Sequence, residues 1–331
     1  MTEPGPAAAL PPVSVVLAVR NEAEGLAPCV EAIHACGYRG ELEVVVAVAP
    51  SDDGTEAVAQ RLADDGLAVI VDNPEGFTPV GLNRAIAAAQ HDVLVRMDGH
   101  ALMPAGYIDL AVAALASTGA ANVGGRMVPR GGSPFSRAVA VAMSSRFGLG
   151  GAGHRMGGQE GQTESVYLGS FRRDALASVG GYDEHFVRAQ DWELNHRLRQ
   201  AGHEVWFVPG MAVPYTPRST WRALNRQFYS TGRWRREVAR RHPESLSVRY
   251  LAAPLVTIAV FLGLVAGVSG LVVGWPWLAA ALIVPAGYLV GVLGATLLLL
   301  PRTGLAAALR MPVVLMTMHL AWGAGFLRGV R

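Results

Sequence analysis

The chain has 331 residues and a formal net charge of only +2, with 51% hydrophobic residues, 16% charged residues and a mean hydropathy of +0.29. That charge is too mild to argue for nucleic acid as a partner, and the composition is too apolar for an ordinary soluble enzyme. The excess is concentrated, because beyond Tyr250 the only charged residues are Arg302, Arg310, Arg328 and Arg331. A soluble domain followed by a membrane domain is the organisation this pattern predicts.

Residues 1–12, "MTEPGPAAALPP", carry an acid and several prolines. They read as a disordered leader and lack the basic start and apolar centre of a signal peptide. "VSVVLAV" (13–19) is a short β-branched run bounded by polar residues, as in a buried parallel strand. A helix is expected through about residue 37, with Cys29 and Cys36 on one face as reduced thiols and not a structural disulfide. "LEVVVAVA" (42–49) predicts a second strand, and Asp52 or Asp53 would cap the helix after it. "LAVIVD" (67–72) predicts a third strand, "TPVGLNRAIAAAQ" (78–90) a helix, and "DVLVRMD" (92–98) a fourth strand. Alternation at this pace means βαβ units and a parallel sheet, whose ligands gather at the carboxyl ends of the strands. Arg20-Asn21-Glu22, Ser51-Asp52-Asp53 and Asp98-Gly99-His100 all fall at those ends.

Residues 124–165 change character: "GGRMVPRGGSPFSR" and "GLGGAGHRMGGQEGQ" predict mobile, glycine-rich loops. Regular structure resumes with "VYLGSFRRDALASVGGYDEHF", "QDWELNHRLRQAG" and the extended "HEVWFVP". Residues 13–218 therefore form the first domain, and residues 219–249 a basic region with Trp221, Phe228, Tyr229 and Trp234 interleaved. Its place just before an apolar stretch predicts a helix on the membrane surface, not a nucleic-acid site. Residues 250–331 form the membrane domain, with spans predicted at 251–274 and 275–300. A third candidate, 306–327, is weakened at its start by Arg310 and Pro312. The arginines between 233 and 249 place the first span's leading end in the cytoplasm. Two spans would return the C-terminal end there and three would leave it outside, and the sequence leaves both open.

Three constellations carry chemistry. Asp98 and His100, two residues apart at a strand end with Gly99 between them, can hold a hard divalent cation or merely stabilise a turn. Asp191 and Glu193 open a helix, where the dipole favours carboxylates, and either is also suited to act as a general base. In "QFYSTGRW" (227–234), Arg233 suits a phosphate, and Trp234 suits a sugar face or the lipid interface. Asn83 and Arg84 read as surface residues, and Arg96 can pair with Asp98 instead of serving a ligand.

The succession "VSVVLAVRNE", "PSDDGT", "GLNRAI", "VRMDGHA", "GSFRRDALASVGGYDE" and "QDWELNHRLRQAG" resembles the family-2 glycosyltransferases of GT-A fold over about residues 13–235. "VRMDGHA" and the apolar C-terminal part are similar to the succinoglycan-type exopolysaccharide glucosyltransferase subgroup. The resemblance implies an α/β catalytic domain with a mainly parallel mixed sheet, followed by transmembrane helices. It implies a nucleotide-diphosphate-sugar donor held by Ala18, Arg20, Asn21, Glu22, Asp53, Asn83 and Asp98. Asp98 and His100 would take the metal positions for Mn²⁺ or Mg²⁺, and Asp191 would be the base of an inverting transfer. Gly124 and Gly125 would flank the donor sugar and Gly169 the acceptor, with Gln190 and Glu193 beside the substrates. Gln227, Arg233 and Trp234 would stand for the family's Gln-x-x-Arg-Trp. The implied acceptor is a hydroxyl on a glycan or a polyprenyl-linked glycan, met at the cytoplasmic face of the cell membrane.

Three departures accompany the likeness. Val48, Ala49 and Pro50 stand where the family places a base-reading aspartate, His100 ends the metal motif, and Gln190 replaces a glutamate. A non-catalytic membrane-anchored scaffold or glycan-binding protein is the alternative these departures leave. A nucleotidyltransferase would need a glycine-rich, basic phosphate loop after the first strand, and "RNEAEGLAP" is not one.

Overall fold

The computed structural model describes residues 10–149 and 158–330. Along the chain come β1 (Val13–Val19), α1 (Ala23–His34), β2 (Leu42–Val48), α2 (Thr55–Asp64), β3 (Val69–Asp72), α3 (Thr78–Ala88) and β4 (Val93–Arg96). Next are α4 (Tyr107–Thr118), β5 (Asn122–Pro129), α5 (Pro134–Met143), β6 (Gly161–Gln162), β7 (Tyr167–Arg172), α6 (Arg173–Ser178), α7 (Gln190–Gln200) and β8 (Val205–Tyr215). The C-terminal part is helical: α8 (Trp221–Arg241), α9 (Val248–Val273), α10 (Ile283–Thr303) and α11 (Met311–Arg328). The chain forms two compact units, the second holding the segment from Pro129 to Met156 and everything from Tyr215 on.

In the first unit the strands form a mixed sheet of order β3-β2-β1-β4-β7-β5-β8-β6. β1 pairs in parallel with β2 from Val13↔Leu42 to Val19↔Val48 and with β4 from Val13↔Val93 to Val16↔Arg96. β7 runs antiparallel between β4 and β5. This register brings the carboxyl ends of β1, β2 and β4 to one edge, with Arg20, Ala49 and Met97 as their next residues.

Both faces of β1 and β2 are covered, so apart from Ser14 and Glu43 they are apolar runs and not alternating ones. Val15, Leu17, Val44 and Val46 meet Leu26, Val30 and Ile33 of α1 and Tyr107 and Ile108 of α4 on one face. Val16, Val45, Ala47 and Leu94 meet Leu82 and Ala85 of α3 and Leu194 and Leu198 of α7 on the other. Burying these side chains on both faces is the main stabilising term of the unit.

Several local expectations are corrected. α1 stops at His34, so Cys36 sits in the turn beyond it, and both thiols are free and buried. The N-cap of α2 is Gly54, at φ 90°, while Asp53 one residue earlier accepts from the Thr55 N–H. The first glycine-rich stretch is ordered: Asn122–Pro129 is a strand with a bulge between Val123 and Gly125, and a Ser133–Ser136 capping box opens α5. Of the second stretch, residues 150–157 lie outside the described residues, as do residues 1–9 of the expected leader.

Among the described residues of the second unit, three helical stretches are long and apolar enough to cross a membrane: Val248–Val273, Pro276–Thr303 and Leu305–Arg328. The basic helix starts at Trp221, capped by the Thr220 side chain, and runs unbroken to Arg241.

Candidate active site

The site is built at the carboxyl edge of the parallel strands. Arg96 is the last residue of β4, and only 7% of its side chain is exposed. Its Nη1 donates to Asp191 Oδ2 at 2.7 Å and its Nη2 to Asp98 Oδ1 at 2.6 Å. One buried guanidinium thus holds a carboxylate from the β4 turn and another from the first turn of α7. Burial works against the arginine's charge, but Asp191 and Asp98 outweigh that and hold its pKa above the ordinary value. Asp98 Oδ2 also accepts from the Tyr167 hydroxyl at 3.4 Å.

Asp191 experiences opposing forces. Burial pushes its carboxyl above the ordinary carboxylate range, Arg96 pulls it back, and the Asp98 charge pushes it up again. Its side chain remains 37% exposed, so solvent tempers the push. The residue is fixed by its helix. Asn195 of α7 accepts from Asn122 of β5 at 2.6 Å and donates to Ser165 at 3.0 Å, all in the interior. Ala189, just before α7, is held at φ 62°, a strained conformation for a side chain with a Cβ. The other described non-glycine residues with positive φ, Asn21 and Leu168, also lie beside predicted site residues.

His100 is oriented by Glu22, whose Oε1 lies 2.8 Å from His100 Nδ1. Gly25 makes room for it, since a Cβ there would lie 2.9 Å from His100 Cβ. The Cys29 thiol donates to the Asp98 carbonyl at 3.4 Å, tying α1 to the same turn, and burial raises its pKa to about 12. Beside them the second polar cluster closes on itself. Asp53 accepts from the Ala23 and Thr55 N–H groups and the Thr55 hydroxyl, which lower its pKa, the hydroxyl most. Asn21 accepts from the Asp52 N–H and donates its own N–H to Ser51. Arg20 lies over the Gly76 turn, and Ala18 packs under Gly81 of α3.

The remaining candidates have structural partners. Asn83 binds the Tyr182 backbone through both ends of its amide, which clips the loop between α6 and α7. Glu193 is 1% exposed and engaged by Arg197, whose guanidinium also reaches the Val179 and Gly181 carbonyls. This buried ion pair ties α7 to the loop before it. Gly124, Gly125 and Gly169 are buried where strands come close: a Cβ on Gly125 would lie 1.5 Å from the Met211 carbonyl oxygen. Packing accounts for these glycines. Gln190 opens α7, half-buried.

In the second unit, Gln227 donates to the Tyr215 hydroxyl and Arg233 donates to the Gly329 carbonyl at 2.8 Å, while Trp234 is half-buried in α8. Arg233 therefore already has a partner in its own unit. Sequence reasoning missed Tyr182, whose buried hydroxyl has no hydrogen-bond partner among the described residues. Burial raises its pKa most, and Asp191 adds to the rise. Nothing in the local pattern around "GGYDE" places that phenol near the carboxylates.

The glycosyltransferase-like family 2 profile matches residues 11–236. The chain belongs to that family and is a glycosyltransferase. It is similar to the succinoglycan biosynthesis protein ExoA of Rhizobium meliloti strain 1021, at 34% identity over 95% of this chain and 93% of that protein. It is also similar to the glycosyltransferase AglE of Haloferax volcanii, at 24% identity over 66% of this chain and 71% of that one. Among solved structures, the mannosyltransferase PcManGT from Pyrobaculum calidifontis, in complex with GDP-Man and Mn²⁺, has a TM-score of 0.56. That match has 21% identity and covers 95% of this chain and 89% of the other, a likeness of fold.

Proposed function

We propose that this glycosyltransferase moves a sugar from a nucleotide-diphosphate donor to a hydroxyl with inversion at the anomeric carbon, Asp191 acting as base. The observation that carries the reading is the Arg96 bridge. It holds a base candidate and a metal-ligand candidate from distant segments at one strand edge, each partly open to solvent. In this reading Asp191 accepts the acceptor's hydroxyl proton as the oxygen attacks, and a pKa raised by burial makes it a better base near neutrality.

The residues present fit a divalent cation. An ionised carboxylate has about four lone-pair sites, so Asp98 can ligate while still accepting from Arg96 and Tyr167. In the neutral His100 ring, an N–H at Nδ1 donated to Glu22 puts the lone pair on Nε2, the usual support for a ligating imidazole. An oxygen and a nitrogen donor together suit Mn²⁺ better than Mg²⁺. Bound there, the ion would neutralise charge on the departing diphosphate.

The acceptor in this reading is a polyprenyl-linked glycan, and the catalytic domain faces the cytoplasm from a multi-pass anchor. The 34% identity to a succinoglycan biosynthesis protein supports an exopolysaccharide setting. The apolar helices and the arginines that precede them support the membrane and its orientation. A panel of nucleotide sugars offered to purified enzyme in detergent, with and without EDTA, tests the proposal. Donor turnover that EDTA abolishes and Mn²⁺ restores is expected. Turnover at full rate in chelator rejects the metal role, and failure to bind any nucleotide sugar rejects the donor class.

A further inference from the structure

The second unit carries three apolar helices, but they are not alike. α9 and α10 form a hairpin. Gly270, Gly267 and Gly263 of α9 pack in that order against Leu278 and Ala279, then Leu282, then Val284 and Pro285, so the two helices run antiparallel. The end of α10 therefore returns to the side on which α9 begins. Both leave rows of large apolar side chains exposed, among them Phe261, Val265 and Val272 on α9 and Val290, Leu293 and Leu297 on α10. Only 22% and 17% of an 18-residue apolar stretch within each of these two candidate spans is buried in protein.

The third differs: 44% of its 18-residue apolar stretch is buried, and Val313 and Leu327 are the large apolar residues of α11 left exposed. Along one side it is covered by α8, the helix of seven arginines. The two run side by side in the same direction. Trp221 Nε1 donates to Thr317 Oγ1 at 3.0 Å, and a Cβ on Gly325 would lie 2.0 Å from the Tyr229 carbonyl. At the far end Arg233 donates to the Gly329 carbonyl and Arg236 to that of Phe326.

Both ends of α11 are thereby located. Its C-terminal end is held by Arg233 and Arg236. Between them in sequence, Arg235 stacks its guanidinium 3.8 Å over the ring of Tyr250, in the first turn of α9, and donates to the Ser245 carbonyl. Its N-terminal end follows Thr303 by eight residues that include the helical turn Leu305–Ala308, too short a link to recross a hydrocarbon core of about 30 Å. Nearer its C-terminal end, Gly323 packs on Ala253 and Thr257, five and nine residues after the start of α9 and so roughly 8–14 Å along it, and at its middle His319 Nδ1 lies 3.1 Å from the Tyr288 hydroxyl of α10. A crossing α11 would draw α8 and its arginines into the hydrocarbon, where each is strongly disfavoured.

We propose that α11 does not cross the membrane. It lies along the same surface as α8, so the chain crosses twice and Arg328 stands on the side of α8. The inference concerns the second unit alone and holds whether or not Asp191 is the base.

Single-cysteine reporters in the full chain test it. Cys29 and Cys36 are buried, so the parent protein supplies a low background. Arg222→Cys, Trp277→Cys and Arg328→Cys would each be labelled in sealed vesicles by a membrane-impermeant maleimide, before and after detergent. Arg328→Cys should follow Arg222→Cys and oppose Trp277→Cys. Labelling of Arg328→Cys together with Trp277→Cys overturns the proposal. Where a reporter fails to insert, spin labels at Val313→Cys and Leu327→Cys give a second reading in proteoliposomes. Equal shallow depths support the surface helix, and positions in opposite leaflets overturn it.

Discussion

The Arg96 guanidinium meets the Asp191 carboxylate at 2.7 Å across 95 residues of chain. Its other arm takes Asp98, so removing the arginine leaves two carboxylates without their shared cation. Breaking a fully buried pair costs about 3–5 kcal/mol, and because 28% and 37% of these carboxylate side chains is exposed we expect ~1–3 kcal/mol. Arg96→Met should lower Tm accordingly and slow transfer. Arg96→Lys should recover part of both, since an ammonium lacks the planar fork that reaches two partners. Calorimetry of the purified variants, with Tm and rate both unchanged, would show the bridge to be idle.

The pH profile should carry the mark of Asp191. Burial, first, and the Asp98 charge favour its protonated form, and Arg96 only partly offsets them. A base works deprotonated, so kcat/KM should fall as pH drops through the raised pKa, with an acid limb above the ordinary value of about 4. A limb at or below the ordinary value would mean that another group governs the rate.

Glu22 should matter through His100. Removing the carboxylate behind a ligating imidazole typically weakens metal binding by roughly 10–100-fold. Glu22→Gln should shift the Mn²⁺ dependence of nucleotide binding by about that factor, with near-normal turnover at saturating Mn²⁺. Titration calorimetry reads the shift directly, and identical Mn²⁺ affinities in variant and parent would remove Glu22 from this role.

Gly125 should be irreplaceable for packing reasons. The added methyl of Gly125→Ala would sit 1.5 Å from a backbone oxygen of β8, which cannot rotate away as a side chain can. We expect a loss of roughly 3 kcal/mol or more, the upper range for overpacking. Gly132→Ala, with nothing among the described residues within 4 Å, should stay within about 0.5 kcal/mol of the parent. Urea or thermal unfolding of the two variants side by side measures the contrast.

Much of this was legible in the sequence because burial on both sheet faces leaves an unambiguous trace. The runs at 13–19, 42–49 and 92–98 are β-branched, short and bounded by polar turns, and β1, β2 and β4 form within them. β5 and α5 escaped for the opposite reason. Gly124 and Gly125 read as loop, although their lack of side chains is what lets β5 approach β7 and β8. The site was half visible. Asp98, His100 and Asp191 stand in recognisable motifs, and the Arg96–Asp98 pair is local. That Arg96 also takes Asp191, that Glu22 turns to His100, and that Asn83 and Glu193 hold a loop and a helix are tertiary facts with no local pattern.

Asp191→Asn tests the proposed chemistry most directly, because the change keeps the side chain's size while removing its charge and its capacity to take a proton. Transfer should fall by about 10²–10⁴-fold, the usual contribution of a general base, while nucleotide-sugar affinity stays within error of the parent. A variant that folds, binds donor and still transfers at the parental rate would contradict the assignment.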